Sequence, residues 1–248
     1  VLRLGNPVSA TPVLSVPNFY GAHGYDPEIP HMSAIFYAAG PNIGRGVLPK
    51  ARNIDVAPTV SNLLGVPPAP TVEGVVLPIQ PLALMTAVSR KSHGASGNFD
   101  VPLAKAGKPT VEGRKSDEDT AIILTFNKEI VNSSARIVST QRAHLQRESV
   151  HGNQVVLPLA NAEDGETVTI SVAVTDIYGG TLETSISMTL LRGDVNGDGV
   201  VNQMDLSLVQ APGSAVNASN FRADVTVNGT INQADVAQVR SRIGNTAP

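Results

Sequence analysis

Asp194, Asn196, Asp198, Asn202 and Asp205 place oxygen-bearing side chains at positions one, three, five, nine and twelve of one short run, with Gly199 at position six. Val200, at position seven, can add a main-chain carbonyl. The spacing suits a hard cation, because Ca2+ gathers about six to eight oxygen ligands from a loop that turns sharply at its sixth residue. The run closes on Asp205, where the usual loop ends in a longer, bidentate Glu. A near-copy follows, with Asp224, Thr226, Asn228, Thr230, Asn232 and Asp235 at positions one, three, five, seven, nine and twelve and Gly229 at position six. The shared Asp, Val, Gly, Asn, Gln and Asp mark an internal duplication. Calcium is the expected cofactor of both loops. It should bind the second more weakly, since Thr226 and Asn228 replace amide and charged ligands and leave that loop fewer carboxylates.

Other chemistries find little support. Cys is absent, which removes disulfides, thiolate nucleophiles and Cys-based zinc sites. No G-x-S-x-G word and no phosphate-cradling Gly-rich word occurs. Asp117-Glu118-Asp119 reads as a solvated loop, because glycosidase carboxylates must face one another across a substrate. A net charge of −3 gives no basic field for nucleic acid. No apolar run approaches the roughly 18 residues of a membrane span. Charged residues are only 16% of the chain, which suits β-rich extracellular modules filled by Thr, Ser, Val and Ala.

The elements that must position the loops follow from periodicity. After Asp205, Leu206 and Val209 begin an apolar helical face that Pro212-Gly213 stops. After Asp235, Val236, Val239 and Ile243 share a face, and Gly244 is placed to terminate it. Roughly 50 residues bury little core, so calcium binding should supply much of the stability of such a module. Two Asp/Asn-rich loops, each ending in Asp and each running into one short helix, resemble a dockerin module of the type I kind over Gly193 to Gly244. The resemblance implies calcium loops with an exiting helix but no entering one. It also implies docking onto a cohesin-like partner, which anchors secreted enzymes in a complex, and a secreted, periplasmic or cell-surface location. Loop positions ten and eleven help choose the partner in that family. Here they are Gln203-Met204 and Gln233-Ala234, which depart from the Ser/Thr pairs common there.

Upstream, the period is two. Val168, Ile170, Val172 and Val174 alternate with Thr, Ser and Ala, and Ile186, Met188 and Leu190 with Ser and Thr. About seven short strands over residues 98–191 argue for an all-β, immunoglobulin-like sandwich. The stretch resembles the β-sandwich spacers found beside dockerins. A sugar platform is disfavoured, since the stretch has no Trp and only Phe99, Phe126 and Tyr178 as aromatics. Arg90-Lys91-Ser92-His93-Gly94 could form a site, yet no carboxylate or His partner stands within five residues of it. A joint within a linker over 81–97 is the favoured reading.

Residues 1–80 read as loop, buried strand, loop and helix, an incomplete α/β segment with too few strands to close a domain. Asn53 is the expected N-cap, Val56, Val60, Leu63 and Leu64 share a face, and Gly65 suits the C′ position. The words His23-Gly24-Tyr25-Asp26, Ala34-Ile35-Phe36, Gly40-Pro41, Asn53-Ile54-Asp55-Val56 and Leu63-Leu64-Gly65, with Pro67 to Pro70, resemble the C-terminal end of the catalytic domain of nucleotide pyrophosphatase/phosphodiesterases in the alkaline phosphatase superfamily. That resemblance implies that His23 ligates zinc, but only in a complete parent, since the other ligands and the nucleophile come from upstream. His31 matches no ligand position and reads as a surface residue. The chain begins at Val1 within domain-like sequence, so the C-terminal part of a longer protein is expected, without hydrolase activity of its own.

The expected architecture is thus multidomain, with an α/β piece over 1–80, a linker over 81–97, the sandwich over 98–191 and the dockerin-like module over 192–248. Three functions remain: calcium-dependent docking, the tail of a zinc-dependent phosphodiesterase, and a calcium-stabilised spacer.

Overall fold

The structure, a computed structural model, describes residues 3–4, 14–15, 33–115, 120–139, 142–209 and 213–248. His23, His31 and Asp117-Glu118-Asp119 lie outside the described residues. The chain divides into two compact units, Val1–Ala38 and Ala39–Pro248. In the first, β1 (Arg3–Leu4) pairs antiparallel with β2 (Leu14–Ser15).

The second unit is mostly β-sheet. It opens with one helix, α1 (Val56–Leu63), preceded by a 3-10 turn at Asn53–Asp55. The helix is capped two residues later than expected, with Asp55 in place of Asn53 at the N-cap. Asp55 is drawn inward because it accepts from Arg52 Nη2 (2.7 Å) and from the Val75 amide (2.9 Å). At the other end Gly65 takes φ 67°. The amides of Gly65 and Val66 donate to the carbonyls of Asn62 and Ser61, the two bonds of a Schellman motif, as its C′ position predicts. The buried face is a different one from that expected. Pro58 and Thr59 face inward, whereas Val60 and Leu64 are exposed, because Thr59 Oγ1 bridges the Asp55 carbonyl and the Leu77 amide (2.5 and 2.9 Å).

A six-stranded and a four-stranded sheet follow. The first contains β3 (Leu84–Ser92), β4 (Asn98–Pro102), β6 (Thr120–Phe126), β8 (His144–Leu145), β9 (Ser149–His151) and β10 (Gln154–Ala160), in the order β4-β3-β6-β10-β8, with β9 also on β10. The second runs β5 (Thr110–Glu112), β12 (Thr181–Leu190), β11 (Thr167–Asp176), β7 (Ile130–Ile137). Pairings are antiparallel except β5 on β12. Val168, Ile170, Val172 and Val174 of β11 and Ile186, Met188 and Leu190 of β12 share one core with Ile122, Leu124 and Phe126 of β6 and Val155, Leu157 and Leu159 of β10. Alternation sends every second side chain inward, and the β-branched residues fill the pleat.

Residues 81–97, expected as a linker, instead supply strand β3. Its inward positions are Ala87, Ser89 and Lys91, followed by the buried His93. Polar residues at the period-two positions leave no hydrophobic alternation to read.

Beyond β12 come α2 (Gln203–Leu208) and α3 (Gln233–Arg240), with β13 (Ser214–Ala215) paired to β14 (Thr230–Ile231). The two repeats exchange partners. Val200 and Val201 of the first loop bridge to Thr246 and Asn245 beyond α3, while Thr230 and Ile231 of the second pair with the segment beyond α2. Leu206, Val209, Val236 and Val239 are buried as their spacing predicts, but Ile243 lies past the end of α3 and is exposed. This small core is not self-sufficient, since Val111 and Leu191 belong to it and Phe99 of β4 packs against it.

Candidate calcium loops and their joint to the sheets

In the first loop, Asp194 Oδ1 accepts from the Gly197 amide (2.7 Å) and Oδ2 from the Gly199 amide (2.8 Å). Asp205 reaches back, accepting from Val195 (2.8 Å) and Asn196 (3.1 Å) on Oδ1 and from Asn202 (2.9 Å) on Oδ2. Asn202 is the N-cap of α2 and takes the Met204 amide on its side-chain oxygen (2.7 Å), so one capping box joins loop to helix. Asn196 and Asp198 complete an Asx-rich turn. Asn196 Nδ2 donates to Asp198 Oδ2 (2.8 Å), and the Asp198 and Val200 amides donate to Asn196 Oδ1 and Asp198 Oδ1.

The second loop repeats this pattern. Gly229 donates to Asp224 Oδ2 (2.8 Å), Asn232 caps α3 by accepting the Ala234 amide (2.8 Å), and Asp235 accepts from Thr226 and Asn232 (2.9 and 2.8 Å). Thr226 replaces an amide with a hydroxyl that donates to Asp235 Oδ1 (2.8 Å), and Asn228 Nδ2 donates to Thr226 Oγ1 (2.9 Å). Thr230 donates its amide to Asn228 Oδ1 and accepts from Asn232 Nδ2 on its carbonyl.

Asp194, Asp205, Asp224 and Asp235 have no solvent exposure. Among the described residues, none of them is ion-paired with a Lys or Arg; Asp224 alone has a side-chain partner of basic type, His93. Burial raises the Asp194 carboxyl above its ordinary range against the lowering effect of its two amide donors, and the charges of Asp205 and Asp198 raise it further. Buried carboxylates without a counter-charge are costly, and a divalent cation removes that cost. Among the described residues no three His, Cys, Asp or Glu side chains gather as a metal group. The remaining donors are Asn and Thr oxygens and main-chain carbonyls, a hard-oxygen set that fits calcium rather than zinc.

The joint to the sheets was not legible beforehand. Arg114, just beyond β5, sends all five guanidinium donors into the interior. Nε and Nη2 donate to Glu112 (2.8 Å each), Nη2 to the Ser89 carbonyl (3.0 Å), and Nη1 to the Phe99 carbonyl (2.9 Å) and to His93 Nε2 (3.0 Å). His93 Nδ1 then meets Asp224 Oδ2 at 2.8 Å. Phe99 and Phe221 stack at 5.4 Å with Arg114 over the Phe221 ring, and His93 meets both rings edge-on. Glu112 is wholly buried. Burial pushes its carboxyl up, but the charge and hydrogen bonds of Arg114, with Lys91 and Ser89, outweigh this and lower it to about 2. Backbone contacts close the seam. Lys115 donates to the Val225 carbonyl (2.8 Å) and Gly193 to the Gly113 carbonyl (2.8 Å). Gly113 is obligatory there, since a Cβ would stand 1.9 Å from the Asp194 carbonyl oxygen.

Arg90-Lys91-Ser92-His93-Gly94 thus has partners after all: Arg90 pairs with Asp100 across β3 and β4 (2.7 Å), while His93 meets Asp224, 131 residues away. Gln203, Met204, Gln233 and Ala234 all lie on the surface in the first turns of α2 and α3, Met204 at 61% exposure with Leu208 a turn away.

Residues 192–244 match the family described as Dockerin type I domain. No curated protein gives a match to the chain.

Proposed function

We propose that the chain acts in docking, its C-terminal module holding calcium in the Asp194–Asp205 and Asp224–Asp235 loops and binding a cohesin-type partner through the exposed sides of α2 and α3. The observation that carries this is the duplicated loop with four wholly buried carboxylates, on a stretch that matches the Dockerin type I domain. Asp194, Asn196, Asp198, Asn202 and Asp205, with the Val200 carbonyl, would hold the first ion. Asp224, Thr226, Asn228, Asn232 and Asp235, with the Thr230 carbonyl, would hold the second. Calcium supplies charge neutralisation at these carboxylates, and the protein supplies the order of the helix starts. Gln203, Met204, Gln233 and Ala234 would touch the partner, with Met204 as an adaptable apolar contact. The two sheets would serve as an immunoglobulin-like spacer in a secreted modular protein. Isothermal titration of the full chain with calcium, followed by capture on a panel of cohesins with and without chelator, tests this. Calcium binding with calcium-dependent capture is expected. Calcium binding without capture leaves the spacer reading, and no calcium binding removes both.

A second reading concerns residues 39–80 of the second unit, where Ile54, Val60, Leu64 and Val66 are exposed. This apolar surface favours a piece of a larger α/β domain, the phosphodiesterase end in which His23 would take zinc. Reading the coding sequence ahead of Val1 and assaying the extended protein for zinc-dependent phosphodiester hydrolysis decides it. An extension without Asp- and His-rich metal motifs, or without hydrolysis, removes this reading.

A further inference from the structure

We propose that His93 is a positioning residue for the second calcium loop, so that the sheets form part of that site. The inference rests on the calcium reading above and adds a residue that lies far outside the loop sequence. Its starting point is a donor count. The Arg114 guanidinium can only donate, so His93 Nε2, 3.0 Å from Nη1, must accept. The ring proton then sits on Nδ1 and is donated to Asp224 Oδ2 at 2.8 Å. Both side chains are wholly buried, and water cannot replace either bond. Asp224 Oδ2 is fully engaged by His93 and by the Gly229 amide, whereas Oδ1 has only the longer donors Asn228 N (3.1 Å) and Thr226 Oγ1 (3.5 Å). Oδ1 is therefore the oxygen left to a cation. An imidazole that fixes one carboxylate oxygen so that the other can ligate is an outer-shell device, typically changing metal affinity by about 10–100-fold.

Main-chain contacts hold the imidazole and the loop in register. A Cβ on Gly229 would stand 2.6 Å from the His93 carbonyl, a Cβ on Gly94 would stand 2.9 Å from the Asn228 carbonyl, and Ser96 Oγ donates to the Gly229 carbonyl at 3.0 Å. Asp194, the equivalent carboxylate of the first loop, has amide donors only. The loop with fewer charged ligands is thus the one braced from outside. By linkage, an ion in the second loop and closure of the joint favour each other equally.

The full chain is titrated with calcium as wild type, D194A, D224A, His93→Phe and His93→Asn, the two Asp variants assigning each binding step to a loop. Two steps are expected in the wild type. His93→Phe should weaken the D224A-sensitive step about 10–100-fold and leave the D194A-sensitive step unchanged. His93→Asn, whose Nδ2 lies close to the place of the imidazole Nδ1, should restore most of the loss. Long-range 15N–1H spectra of the wild type should show His93 as the Nδ1–H tautomer, a readout that does not depend on any variant folding. No calcium step at all overturns the proposed function itself. A single step, an unchanged second step in His93→Phe, or an Nε2–H tautomer overturns this inference and leaves the docking reading standing.

Discussion

The two loops share sequence, turn geometry and helix capping, yet they are anchored to the sheets by different means. The first is tied to the sheets by backbone hydrogen bonding and apolar packing, with Gly193 bonded to Gly113, the Asp194 carbonyl lying where a Gly113 side chain would be, and Val195 and Val201 in one core with Val111. Its charge is its own, from Asp194, Asp198 and Asp205. The second has Asn228 where the first has the charged Asp198 and Thr226 where it has Asn196, and it meets the sheets through side chains, the run Glu112–Arg114–His93–Asp224 with Phe99 stacked on Phe221. Duplicated modules begin with equal halves. Once one half packs on a neighbouring domain, that neighbour can take over part of its pre-organisation and the ligand set is free to drift.

The largest break in this asymmetry should come from Arg114→Leu. It leaves Glu112 buried without its partner and strips His93 Nε2 of its donor, at a cost of about 3–5 kcal/mol in urea unfolding. If the native state survives, the second calcium step should suffer and the first should not. Equal weakening of both steps would show that the network supports the module as a whole rather than one loop.

Acid acts on the same network. Glu112 is held at about 2 against an ordinary 4.5, so between those values the folded state binds fewer protons than the unfolded chain. The stabilisation is whole above pH 4.5 and is lost as pH falls toward 2. Denaturant unfolding in chelator across that window should show stability falling with acid in the wild type, and Glu112→Gln should flatten the fall. Parallel curves for the two proteins would mean that Glu112 is not the group being protonated.

A smaller effect should come from the other side of the asymmetry. Gly113→Ala drives a methyl into the Asp194 carbonyl, an overpacking that costs about 1–3 kcal/mol and displaces the first loop. Gly94→Ala does the same to the second loop against Asn228, with more room at 2.9 Å. Calcium titration should find the first step weakened in Gly113→Ala and the second in Gly94→Ala. A swap of those assignments would contradict the anchoring described.

The legible parts of the molecule were those in which adjacent residues do the work. Both loops, the short helices that follow them and the inward stripes of β11 and β12 follow from local spacing. So does the Schellman end of α1 at Gly65. What stayed hidden was long-range and polar. β3 turns Ser89 and Lys91 inward, so its pattern shows no apolar period, and the partner of His93 is 131 residues away. Sheets bring together what sequence separates, and a partner search confined to neighbouring residues fails there. One signal was present in the alternation Ser89, Lys91, His93, a polar period of two running into glycine. The face of α1 was misjudged for a related reason, because Thr59 is buried by its hydrogen bonds while Val60 is left outside.

The smallest effect should belong to an ion pair joining module and sheets at the surface. Arg242 Nε lies 3.1 Å from Asp164 Oδ2, with both side chains partly exposed and Arg242 also donating to Gln238 (2.7 Å). Exposed pairs gain little, because water screens them and two long side chains must be ordered. Arg242→Ala and Asp164→Ala, with the double variant, should therefore give a coupling energy below about 1 kcal/mol and leave both calcium steps in place. A larger coupling would move the seam's energy from the buried His93–Arg114 network to its rim. The second loop would then be no more dependent on the sheets than the first.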